Sequence, residues 1–224
     1  MKRTLLFFSL LLVCVCCSTA FAQDDFFEGV VRYRHFIEIK DTLANEWEVT
    51  ALYGEGGNFY INKEGRYRIE PRGTSIEWQI YDPQQARLYF KFIKRDTVYW
   101  HAATMPTEEV VEVYPVKEEK DYLLGYTCHL LMMKVKTVGS SPEVLGKMYF
   151  FAPELKVNAA AFARHHTNSQ DRVFAITQSI PLRIVVLQRH YRVIIEAEDV
   201  EPRALPADLF RIPADLPQKE LQFN

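Results

Sequence analysis

The chain has 224 residues, 48% hydrophobic and 25% charged, with 27 Lys and Arg against 29 Asp and Glu for a formal net charge of −2. This slight acidic balance excludes a nucleic-acid binder, whose affinity comes mainly from a basic face. The length suits one domain with a core large enough to stand without a metal or a disulfide staple.

The first element in chain order is a predicted secretory signal, Met1 to Ala22. Lys2 and Arg3 form its charged head, Leu5 to Val15 an apolar run, and Ala20-Phe21-Ala22 a small-x-small cleavage site before Gln23. The run is too short to cross a bilayer as a helix. A second reading takes Cys14 or Cys17 as a lipid attachment site. The residues before them, Val13 and Cys16, are not the small residue such processing prefers, which favours the downstream site. Cleavage removes three of the four cysteines and leaves Cys128 alone, so no intramolecular disulfide is expected. It also removes Lys2 and Arg3, leaving 25 basic against 29 acidic residues, or −4. With neither a disulfide nor an Asn-x-Ser/Thr acceptor, the exported chain fits a bacterial periplasm better than an animal secretory route; an outer-membrane lipoprotein or an extracellular protein is the alternative. No later run is long and apolar enough to span a membrane, so the mature chain is expected to have no membrane span. The expected organisation is a signal at 1–22, a single β domain at 23–217 and a C-terminal tail at 218–224.

From Val31 onward, Val31, Tyr33, His35, Ile37 and Ile39 alternate with mostly polar residues, the pattern of a strand with one wet face. Phe59 to Asn62, the turn Lys63-Glu64-Gly65 and Arg66 to Glu70 predict a hairpin. Ile76 to Ile80, Leu88 to Phe92 and Val98 to His101 continue as short strands joined by polar turns, an antiparallel meander. Val110 to Val113 is a candidate strand inside a Pro-containing connection, and the charged run Lys117 to Asp121 reads as a solvated loop. Strands resume at Tyr126 to Val135 and Val144 to Phe151. Asn158 to His166, with three alanines after an Asn cap, predicts a short helix. Leu182 to Leu187, apolar on both faces, predicts a covered strand before Tyr191 to Ala197. Pro206 to Phe210 predicts one helical turn pressing Leu209 and Phe210 onto the sheet.

The residue types that carry chemistry do not assemble into a motif. Cys128 and His129 are strand neighbours facing opposite ways, so they cannot share a proton. His165 and His166 are adjacent on the predicted helix and diverge by about 100°, which fits charge at a helix C-terminus better than a metal site. Gly54-Glu55-Gly56-Gly57 lacks the Lys-Ser/Thr of a phosphate loop and opens into a strand. Asp82 and Asp96 lie in turns, where Asp caps backbone groups. With no nucleophile elbow, zinc-protease helix or calcium loop, the chain is expected to be no enzyme and to need no cofactor or metal. What remains is aromatic surface. Trp78, Phe90 and Phe92, with Tyr33, Tyr67 and Met132, are candidate lining residues for a hydrophobic-ligand cavity, unless the sheet curls and fills itself.

In their order, five segments resemble exported bacterial proteins of unknown function related to the LolA-like superfamily, whose best known members carry lipoproteins across the periplasm. These are Gly29 to Tyr33; Ile80-Tyr81-Asp82 with Leu88 to Phe92; Leu124 to Cys128; Ser179 to Ile184; and Leu205 to Pro213. The resemblance implies a mainly β fold, a strongly curved antiparallel sheet or half-barrel with one or two short helices on its concave side. It also implies a Gram-negative periplasm and binding of an acyl chain, lipid or lipoprotein, and it carries over no catalytic residue. Two functional readings stay open: a hydrophobic-ligand binder, and a cell-envelope structural or interaction module with a filled core and an envelope protein as partner.

Overall fold

The structure, a computed structural model, describes residues 26–221; the predicted signal segment lies outside them. The alternating runs form strands where expected: β1 (Gly29–Ile39), β2 (Gly56–Ile61), β3 (Tyr67–Arg72), β4 (Ile76–Asp82), β5 (Arg87–Phe92) and β6 (Val98–Ala102). After β7 (Glu108–Val113) come β8 (Lys117–Leu123), β9 (Tyr126–Thr137), β10 (Val144–Lys156), β11 (Ser179–Leu187), β12 (Tyr191–Pro202) and β13 (Gln218–Glu220). Among the described residues two α-helices interrupt them, α1 (Glu46–Tyr53) and α2 (Gln170–Thr177), with single 3-10 turns at Ala159–Phe162, Thr167–Ser169 and Ala207–Phe210.

The strands make one open sheet in the order β13-β6-β5-β4-β3-β2-β1-β12-β11-β10-β9-β7, with β8 also on β9. Pairing is antiparallel throughout except for β13, which runs parallel to β6. In a flat sheet β5 and β9, eight spacings apart in this order, would lie about 38 Å from each other. Yet Tyr81 and Leu88 share one buried cluster with Cys128, Ala152 and Leu182, so the sheet curls. The link from β6 to β7 requires the same thing, since residues 103–107 must reach from one flank of the sheet to the other edge, a span of at most about 18 Å. The sheet is therefore the expected half-barrel, with short helical segments on its inner face.

The two faces differ chemically. Outside, β1, β11 and β12 carry cross-strand ion pairs: Arg32 to Glu201 at 2.7 Å and Arg183 to Glu196 at 2.5 Å, with Arg183 also meeting Asp121 at 2.6 Å. The outer face of β4 to β6 is instead apolar. Trp78, Ile80, Tyr89 and Val98 are buried there under Ile212 and Leu216 of the C-terminal segment, which the guanidinium of Arg68 ties down through the Leu209 carbonyl. The segment continues into β13, where Gln218 to Glu220 of the expected C-terminal tail pair with β6.

Two local expectations are corrected. The Lys117 to Asp121 run is paired strand, not loop. Asn158 to His166 holds one 3-10 turn rather than a helix, with no side-chain cap from Asn158; burial of Phe162 and His165 in the core overrides alanine's helix propensity. Helix α1, capped by the Asn45 side chain on the Trp47 amide, and helix α2 were not anticipated.

A candidate ligand cavity under the curved sheet

A cavity of about 270 Å³ lies between the inner face and its helical cover. Its floor is Tyr33 and His35 of β1, Phe59 of β2, Tyr67 and Ile69 of β3, Gln79 of β4 and Leu88 of β5. These align because cross-strand partners share a face: Phe59 opposes Ile69, which opposes Gln79. Ile180, Pro181, Ile184 and Ile195 form the wall, and His165, Thr167, Asn168, Gln170 and Phe174 the roof. Gly57 completes the floor; a Cβ there would meet the Glu70 carbonyl oxygen at 2.5 Å. One end is covered by α1, whose Val49 and Tyr53 pack on the cluster that contains Ile184 and Ile195.

Among the described residues, no Asp, Glu, Lys or Arg lines the cavity. The polar groups that are present are mostly engaged. Tyr33 donates its hydroxyl to the Pro181 carbonyl at 2.6 Å, and burial pushes its pKa well up. His35 Nδ1 meets the Tyr53 carbonyl at 2.9 Å. At the inner end Gln79 Nε2 donates to the Tyr67 oxygen at 3.4 Å, and that hydroxyl meets His165 Nε2 at 2.8 Å. His165 lies between aromatic rings, with Tyr81 at 4.3 Å and Tyr67 at 5.8 Å between centroids.

The roof is held by backbone geometry that is costly for non-glycine residues. Asn168 and Ser169 take φ of 54° and 55°, a left-handed conformation worth roughly 1 kcal/mol or more of strain each. The β6–β7 link fixes it: Ala103 accepts from the His166 amide at 2.8 Å, and Thr107 Oγ1 accepts from the Asn168 amide at 2.9 Å.

Of the residues singled out in the sequence, Tyr33 and Tyr67 line the cavity. Phe90 packs beside it on the same core cluster and stacks on His101 at 5.3 Å. Phe92 sits farther along β5, edge to face with Tyr99. Trp78 is on the outer face under the C-terminal segment. Met132 alternates with Leu131 and Met133, which pack inward against Val173 of α2, so it too faces outward. Cys128 is fully buried, and burial raises its thiol pKa. Among the described residues no three His, Cys, Asp or Glu side chains gather as a metal site, and no helix is long and apolar enough to cross a membrane.

The reading of His165 as a helix-end cation is overturned. The ring is 1% exposed, and burial, aided by His101 and His166, lowers its pKa to about 3. The folded protein therefore holds it neutral. Above pH 6.5 neither state is protonated and the group gives no pH dependence. Below 6.5 the unfolded chain binds a proton that the folded one refuses, so stability falls by up to about 1.4 kcal/mol per pH unit, until the folded ring also titrates near 3. His35 and His101 are shifted in the same direction. Urea midpoints should drop between pH 7 and pH 4.5, and His165→Phe should flatten that drop; an unchanged slope in the variant would contradict the assignment.

No protein-family model matches the chain, and a search of curated proteins finds no relative. Among solved structures, a LolA superfamily protein from Nitrosomonas europaea matches at 10% identity, over 84% of this chain and 91% of that one, with a TM-score of 0.40. At that overlap the match lends no weight to a function. The curved sheet rests on the strand pairing, and any function on the cavity.

Proposed function

We propose that the protein is a non-enzymatic, exported carrier or sensor that binds one hydrophobic chain in the cavity beneath its curved sheet, in the bacterial periplasm. The observation that carries this is an apolar cavity whose lining, among the described residues, includes no charged side chain. Its volume of about 270 Å³ lies near the lower end of the ~300–1,000 Å³ typical of small-molecule sites, which suits a single acyl or similar chain and not a diacyl lipid. The predicted signal segment and the sequence resemblance support the compartment and the class of ligand. Tyr33 and Tyr67 are proposed as ligand contacts, whereas the positions of Trp78, Phe92 and Met132 argue against such a role for them.

The test is a titration with the neutral hydrophobic dye Nile red. Ile69→Glu, which puts a carboxylate on the cavity floor, is expected to weaken binding at least about tenfold, since an uncompensated buried charge is costly. Phe36→Glu, on the exposed face of β1, is expected to leave binding unchanged. Equal binding by both folded variants would defeat the proposal. A second reading, an interaction module of the envelope, is favoured by one observation: Leu43, Trp47 and Leu52 stand 78%, 76% and 69% exposed around α1. Loss of an envelope partner on Trp47→Ser, with no ligand found in the cavity, would support it.

A further inference from the structure

Resting on the ligand reading above, the cavity also indicates what kind of molecule it takes. His165 lines it with one ring nitrogen engaged and one not: Nε2 meets the Tyr67 hydroxyl, while Nδ1 is buried with no hydrogen-bond partner among the described residues. Gln79 donates its amide N–H to the Tyr67 oxygen at 3.4 Å; with the phenol's own proton assigned to Nε2, which it meets at 2.8 Å, the neutral ring carries its proton on Nδ1. A buried donor without an acceptor costs about 1–3 kcal/mol, and such orphans are rare. This one is held in place by ring contacts to Tyr81, Tyr67 and Phe162.

The rest of the lining decides which acceptor suits it. With no Lys or Arg on the cavity wall among the described residues, a carboxylate or phosphate would enter unpaired, which is strongly unfavourable. A bare hydrocarbon would leave Nδ1 unsatisfied. We propose that the ligand is a single-chain amphiphile with an uncharged hydrogen-bond acceptor, such as an ester or ketone carbonyl, and that His165 Nδ1–H is the group that selects it.

Displacement of bound Nile red by three eight-carbon probes, octane, methyl octanoate and the octanoate anion, tests this on the whole protein. The ester is expected to bind about tenfold tighter than either of the others, the worth of one buried hydrogen bond. His165→Phe, which keeps a ring in the stack, is expected to bind ester and octane equally. Tyr67→Phe frees the tautomer and should reduce the preference even if His165→Phe fails to fold. If octane matches the ester on the wild type, the selection by His165 is wrong and the hydrophobic-cavity reading survives. Tightest binding by octanoate would likewise overturn it. If neither Nile red nor any probe binds, both readings fall together.

Discussion

Phe162→Ala is expected to lower the unfolding free energy by about 3–5 kcal/mol, the range for deleting a fully buried phenylalanine. The side chain is fully buried, with Phe174 at 3.9 Å and Tyr81 at 5.7 Å between ring centroids. It joins the roof of the cavity to the sheet. Tyr81 donates its hydroxyl to the Ala161 carbonyl at 2.8 Å, and Ala161 in turn packs against Gly65 of the β2–β3 turn, so the surroundings have little room to collapse into the void. The shift would be read from the urea midpoint at pH 7. A loss below about 1 kcal/mol would mean that the roof is not part of the cooperative core, and the cavity would then lack the rigid cover proposed for it.

Lys147→Met is expected to have an effect of similar size for a different reason. Lys147 Nζ meets Glu108 Oε2 at 2.5 Å, with side chains 10% and 4% exposed, and Glu108 Oε1 has no hydrogen-bond partner among the described residues. Removing the cation strands a buried carboxylate, which costs about 3–5 kcal/mol at neutral pH. Replacing both residues by Met should recover most of the stability, since desolvation roughly cancels attraction in such pairs. A single variant as stable as the wild type would show that water reaches the pair.

The pair also illustrates what could be read from the sequence. Period-two alternation places Lys147 on the same side of β10 as Leu145, Tyr149 and Phe151, all buried, but only a partner 39 residues away makes that burial tolerable. The strands themselves were legible because Val31 to Ile39 and Leu88 to Phe92 alternate cleanly and Gly65 marks its turn with φ of 79°. Helix α1 was not, because it buries only Val49 while Trp47 and Leu52 stand exposed, which erases the apolar stripe that announces a helix. Strand β8 was hidden by its charges. Its Asp121, with a side chain 38% exposed, also accepts from Arg183 of β11.

In the cavity, Tyr33 and Tyr67 were identifiable as large apolar residues on alternating strands. Trp78 carries the same local signal, yet faces outward under Ile212 and Leu216, since alternation defines two faces without saying which is concave. His165 was legible only as a basic residue near a predicted helix end. Its partner Tyr67 lies 98 residues away, and no local pattern reports a contact of that kind.

Native mass spectrometry of the protein, expressed as its full chain in a Gram-negative host and purified from the periplasm without detergent, tests the central claim most directly. One discrete added mass, released by solvent extraction as a neutral single-chain molecule and missing from Ile69→Glu, is the predicted result. A bare protein mass that stays unchanged after incubation with single-chain esters, alcohols and fatty acids would contradict it.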